Sequence, residues 1–228
     1  MTAIISLSQI NLIETNNIHI LKNINLDIQK NDCIVFSGHN GAGKTTLFKI
    51  INGLVKPTSG NVKIFGNAIN SKIKKQLGYI PQINKFEKNI PINVKQAIQI
   101  GLFAKKSIFT KISQKDNLLI DNIAKKLEIQ HLLNTPIGKL SGGEMQKVSI
   151  ARVLAQEANI ILFDEPLSHL DTKSQESIIK LIEDIHSVKR ATILIILHNF
   201  EQIPQCCNRI ITMENGEISE ERKIEKNV

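Results

Sequence analysis

The nine residues GHNGAGKTT, Gly38 to Thr46, limit what this chain can fold into more tightly than any other stretch. They follow a short apolar run, CIVF (Cys33 to Phe36), and precede a helical pattern, the strand–loop–helix setting that a phosphate loop of the form G-x-x-x-x-G-K-[ST] requires. Gly38, Gly41 and Gly43 let the backbone curl so that successive N–H groups point inward at phosphate oxygens, and the following helix adds its positive end. His39, Asn40 and Ala42 fill the variable positions, and Thr46 follows the motif. Lys44 brings a point charge to the β- and γ-phosphates, and Thr45 brings a hydroxyl suited to Mg²⁺. The alternative is a glycine-rich turn with no ligand, against which every fixed position of the motif counts.

The rest of the chain is compatible with that loop. Strand-like pieces open it (Ile4 to Leu7, Ile24 to Ile28), and NIILF and TILIIL read as further buried strands. Helical patterns fall near Thr45 to Leu54, Ser71 to Gln76, Val94 to Leu102, Lys115 to Leu127, Gly143 to Gln156 and Ser174 to Ser187. Such alternation predicts an α/β fold, a three-layer core with a mainly parallel sheet. Residues 83–139 read as helix without a convincing strand, which predicts a helical subdomain inserted into the core. The charged end EERKIEKNV, residues 220–228, reads as a frayed tail. At 228 residues the whole is expected to be a single domain.

Composition narrows the function classes. The longest purely apolar run, Ile193 to Leu197, is too short for a membrane span, and MTAIISLSQI lacks the basic start of a signal peptide, so a cytosolic chain is expected. The net charge of +8 comes from dispersed lysines; with one Tyr and no Trp the chain is poor in base-stacking groups, and no nucleic-acid partner is expected. Cys33, Cys206 and Cys207 have no zinc-ligand spacing and read as reduced structural thiols.

Phosphoryl transfer also needs acids. The strand NIILFDEP ends in Asp164 and Glu165, of which the first can hold the Mg²⁺ shell and the second face an attacking water, with Pro166 fixing the turn after them. A second stretch, LSGGEMQ (Leu140 to Gln146), puts Ser141, Gly142, Gly143 and Glu144 at the start of a helix. Read alone, it is a helix cap or a flexible turn.

Taken together, GHNGAGKTT, YIPQ, LSGGEMQ, IILFDEP, SHLD and LHN resemble, in order and spacing over nearly the whole chain, the ATP-binding subunits of the ABC superfamily. The resemblance implies a phosphate-loop NTPase core with an N-terminal antiparallel β subdomain, and Mg²⁺-dependent ATP hydrolysis. It implies that two chains pair head to tail, so that Leu140 to Glu144 of one close on the γ-phosphate held by the other. Gln82 then matches the residue that touches Mg²⁺ and water, His198 the one that bonds the γ-phosphate and keeps water in line with Glu165, and Asp171 an acid at the dimer interface. His169 replaces the small residue common before that acid.

The resemblance further implies a separate membrane permease, a peripheral position on the cytoplasmic face of the membrane and an extracytoplasmic substrate-binding protein. NIPINVKQAIQIG and TPIGKLSGGE look most like subunits of importers for manganese, zinc or chelated iron. An exporter subunit, or a soluble ATPase of the superfamily acting on nucleic acid or ribosomes, is the alternative. In one respect the chain departs from the family: no aromatic precedes Phe36, so the ring that stacks on adenine is missing. Its place falls near Ile13 or Glu14, with His19 as a candidate substitute.

Overall fold

The strand that feeds the phosphate loop has no solvent face. In β3 (Cys33–Ser37) every residue is buried, Cys33 and Val35 on one side and Ile34 and Phe36 on the other. The alternation repeats in β7 (Ile160–Asp164) and β8 (Thr192–Ile196), where odd-numbered isoleucines and Phe163 face one core and even-numbered residues the other. A sheet covered on both faces accounts for the continuous apolar runs, since strand side chains alternate and each needs a dry neighbour.

The computed structural model describes residues 3–14, 17–82, 91–106, 110–199 and 202–224. Its larger sheet has six strands in the order β10-β9-β3-β8-β7-β6, with β6 (Leu77–Ile80), β9 (Arg209–Glu214) and β10 (Glu217–Lys223) completing it. Five of these strands run parallel; only β10 is antiparallel, to β9. A second sheet, β2-β1-β4-β5, is antiparallel: β1 spans Ile5–Glu14, β2 Ile18–Ile28, β4 Ser59–Ile64 and β5 Asn67–Ala68. This small sheet shares one core with the face of the large sheet that carries Ile34, Phe36, Leu162 and Leu194, and with α1 (Lys44–Ile51) and α2 (Ser71–Lys74).

The opposite face packs on α3 (Val94–Lys105), α4 (Gln114–Lys126), α5 (Gly142–Gln156) and α6 (Thr172–Lys189). Between β6 and α5 the described residues hold helices, 3-10 turns and one isolated bridge, Asn93 to Pro136. Residues 83–90, where the sequence places the start of the helical insertion, lie outside the described residues. Gly101 of α3 explains how closely this segment packs: a β-carbon there would stand 1.9 Å from the Arg152 carbonyl oxygen of α5.

The charged end is a correction. Glu220 to Lys223 are paired with β9, and only residues 225–228 fall outside the description. A buried arginine supplies the reason: Arg209 Nη1 donates to Asp32 Oδ2 at 3.0 Å while Nη2 donates to Glu221 Oε1 at 2.6 Å, so one guanidinium joins β10 to the turn before β3. Charge-assisted bonds of this kind are stronger than neutral ones and hold a strand whose sequence reads as solvated.

Candidate functional site

The phosphate loop wraps a cleft of about 630 Å³ at the C-terminal ends of the parallel strands, lined by Asn40 to Thr46 together with Ile20, Gln82, Glu165, Ser168, His169 and His198. Gly38 can be nothing else: its φ is 132°, and a β-carbon would lie 2.0 Å from the Met213 carbonyl oxygen of β9. Lys44 is buried, and its ammonium donates to the carbonyls of Gly38 at 2.7 Å and His39 at 2.9 Å. Burial pulls it below the ordinary lysine range, while the carboxylates of Glu165 and Asp164 oppose that pull. The cation is therefore tethered across the loop.

Asp164 ends β7 with both oxygens engaged. Thr45 Oγ1 donates to Oδ1 at 2.9 Å and Tyr79 Oη donates to Oδ2 at 2.7 Å. Burial, and then this bond, push the tyrosine phenol up, so Tyr79 remains a donor. Thr45 and Asp164 thus bring a hydroxyl and a carboxylate oxygen together, a hard donor set that fits Mg²⁺.

Glu165 turns where Asp164 runs straight. Its φ of 51° is left-handed, a conformation that costs a non-glycine residue about 1 kcal/mol or more. Ser168 holds the turn, donating both N–H (3.2 Å) and Oγ (2.9 Å) to the Glu165 carbonyl oxygen. The turned carboxylate accepts from Gln82 Nε2 at 2.8 Å on one oxygen and meets His198 Nε2 at 2.8 Å on the other. Two sequence-predicted residues, Gln82 and His198, therefore converge from beyond the ends of β6 and β8 on the Glu165 carboxyl group.

The second glycine-containing segment lies elsewhere. Ser141 caps α5 through a reciprocal capping box: the Glu144 N–H donates to Ser141 Oγ, and the Ser141 N–H donates to Glu144 Oε2 at 2.8 Å. These bonds hold the Glu144 carboxyl below its usual range. Gly143 packs on Ser174, where a β-carbon would come within 2.8 Å of Oγ, and Ser174 is bound by Asp171, the cap of α6. Ser141, Gly143 and Glu144 line a different cleft, with Lys147, Lys173 and Ser174, that shares no lining residue with the phosphate-loop cleft. Leu140 is buried beneath it.

His169 is exposed with a φ of 60°, so the position that prefers a small residue is left-handed backbone that the histidine tolerates. Ile20, and not Ile13, Glu14 or His19, lines the cleft, and no Phe, Tyr or Trp joins it among the described residues. The β1–β2 ladder pairs Leu12 with Leu21 and then Ile13 with His19, which leaves Ile20 as the extra residue of a bulge. Bulges re-aim side chains in this way. Tyr79, Ser168 and Ile20 are the site residues that motif reading passes over; for Tyr79 the only signal is its place in YIPQ.

Residues 21–168 match the ABC transporter family, and the chain belongs to it. It is 31% identical over 199 residues to the high-affinity zinc uptake system ATP-binding protein of Bacillus subtilis, covering 87% of this chain and 86% of that one. It is 34% identical to the methionine import ATP-binding protein of Helicobacter pylori, over 98% of this chain and 68% of that one. A solved dimer of an ATP-binding cassette in a post-hydrolysis state, bound to ADP and phosphate, superposes with a TM-score of 0.85 at 28% identity, covering 97% of this chain and 99% of that chain. The chain is accordingly an ATP-binding, ATP-hydrolysing cassette subunit of the kind found in importers, and among its described residues no helix is long and apolar enough to cross a membrane.

Proposed function

We propose that this chain is the Mg²⁺-dependent ATPase of a membrane importer for a transition metal, zinc or manganese ahead of chelated iron. It works as a head-to-tail homodimer against a separate permease at the cytoplasmic face of the membrane, with an extracytoplasmic protein delivering cargo. The observation that carries the catalytic part is the Glu165 carboxyl held between Gln82 and His198 in the phosphate-loop cleft. The one that carries the dimer is the placement of Ser141 and Gly143 in a different cleft of the same chain, which supports their serving a nucleotide held by another copy.

The backbone of Gly38 to Thr46 and the N-terminus of α1 receive the phosphates, and Lys44 exchanges its carbonyl partners for phosphate oxygens. Thr45, Asp164 and Gln82 would hold Mg²⁺, which when bound neutralises charge across the β- and γ-phosphates. Glu165 takes the proton from the attacking water, His198 bonds the γ-phosphate and fixes the carboxylate, and Tyr79 keeps Asp164 pointed at Thr45. The partner's Ser141 to Gly143 segment supplies helix N-terminal donors and closes the site against solvent.

The cargo rests on kinship with the zinc relative and on NIPINVKQAIQIG and TPIGKLSGGE. The methionine relative supports a second reading. Deleting the subunit and measuring cellular zinc, manganese and iron under limitation, beside methionine uptake, separates the two. Lower metal content with normal methionine uptake is expected; the reverse rejects the metal and keeps the ATPase.

A further inference from the structure

Three cysteines that the sequence scatters meet at the end of the sheet remote from nucleotide. Cys33 Sγ stands 3.3 Å from Cys206 Sγ and 3.0 Å from Cys207 Sγ, and all three sulfurs lie within 4.8 Å of one another. Cys33 and Cys207 are buried and Cys206 is half-buried, which leaves one approach from solvent. The thiols do not hold themselves together. The Cys33 N–H donates to Asn208 Oδ1 at 3.1 Å, the Asn208 N–H returns a bond to the Cys33 carbonyl at 2.9 Å, and Asn208 Nδ2 donates to Asp32 Oδ1 at 2.8 Å. The Cys207 N–H closes a turn on Pro204, and the Gln205 N–H is bound by Glu183 of α6. The backbone thus presents three sulfurs from a frame that exists without them.

We propose that Cys33, Cys206 and Cys207 form a three-thiolate site for a soft closed-shell cation, Zn²⁺ or Cu⁺. Three sulfurs each about 2.3 Å from one ion stand about 4 Å apart, so the two short separations open by about 1 Å or less on binding. Thiolate donors select such cations over Mg²⁺ or Mn²⁺. Cys33 lies against both partners, whereas a disulfide would use one of them and strand the other. Binding releases the thiol protons to solvent, and the charged and titratable groups facing the cluster include Glu183 beside Cys207, His186 beside Cys206 and Asp32 next to Cys33. With Zn²⁺ three thiolates leave a fourth position open; with Cu⁺ they complete a trigonal set. The site is separate from the nucleotide, since β3 places its first residue about 17 Å from the loop that follows its last.

The reduced full chain, without nucleotide, is titrated with Co²⁺ as a spectroscopic probe, and then with Zn²⁺ and with Cu⁺ against chromophoric chelators. One equivalent of Co²⁺ giving a thiolate-to-metal charge-transfer band is expected, and the chelator competitions show which of the two cations is held more tightly. Cys206→Ser should weaken binding at least tenfold and Cys206→His should recover part of it, while the ATPase rate of both stays at the parent level and shows that they are folded. Three reactive thiols with no charge-transfer band and no competition for either cation would overturn the site. So would a Cys206→Ser chain that binds as tightly as the parent, or a chain purified anaerobically with Cys33 already in a disulfide.

Discussion

The end of β7 and the start of α5 are both fixed by short hydrogen bonds, yet they present different things. Around Glu165 the bonds come from distant parts of the chain, Gln82 and His198, and they leave a carboxylate aimed into a cleft. Around Ser141 they are local, a capping box with Glu144, at a helix N-terminus that shares no lining residue with the chain's own nucleotide cleft. The first region is a complete catalytic arrangement in need of substrate; the second is a complete surface in need of another molecule. On the proposed head-to-tail pairing, a chain that holds both contributes half of each of two sites, which ties hydrolysis to dimer closure.

The largest effect should come from the first region. Glu165→Gln keeps the shape and loses the base, so turnover falls by about 10²–10⁴-fold while Mg-ATP still binds and the ATP-bound dimer accumulates. Gel filtration with ATP and a steady-state assay check it; wild-type turnover would remove Glu165 from the chemistry. The second region should break differently. Ser141→Arg abolishes turnover by spoiling the segment that completes the partner's site, while nucleotide binding to the isolated chain, measured by fluorescent-analogue titration, stays within about twofold of the parent because Ser141 does not line its own chain's nucleotide cleft. Lys44→Ala gives the opposite pattern, weakening binding by about ten- to a hundredfold through loss of a charge-assisted contact.

Two smaller effects sharpen the first region further. Tyr79→Phe removes one bond to Asp164, worth about 1 kcal/mol, and should raise the Mg²⁺ concentration for half-maximal ATPase about fivefold with little change in the saturated rate. An unchanged Mg²⁺ dependence would show that Thr45 alone orients the carboxylate. The aromatic-free cleft should hydrolyse GTP nearly as well as ATP, and Ile20→Tyr should tighten nucleotide binding by about tenfold, since stacking on an aromatic is worth about 1–3 kcal/mol per base. A strong ATP preference in the unmodified chain would mean that another group reads adenine.

How much of this was legible in the sequence depended on whether the signal was local. Phosphate-loop glycines, the capping box of α5 and the apolar runs of β3, β7 and β8 are each written within a few residues, because turns, caps and doubly buried strands have local chemistry. What sequence reading missed involves partners far apart. Ile20 enters the cleft through a bulge set by β1 pairing, β10 is held by Arg209 and through it Asp32, and the three thiols join residues more than 170 positions apart. The charges of EERKIEKNV read as a frayed tail because the buried partner of Glu221 is invisible from within the segment.

The central claim, that each catalytic site is shared between two chains, is tested most directly by mixing two inactive variants. Lys44→Ala spoils the phosphate-loop half of a site and Ser141→Arg the closing half. A dimer containing one of each has one site with both defects and one with neither. Equal amounts of the two purified variants, incubated with Mg-ATP at high protein concentration, should therefore regain turnover that neither shows alone, reaching about a quarter of the parental rate if chains pair at random. A mixture that remains as inactive as its components, while heterodimers are demonstrably present, would contradict the shared site.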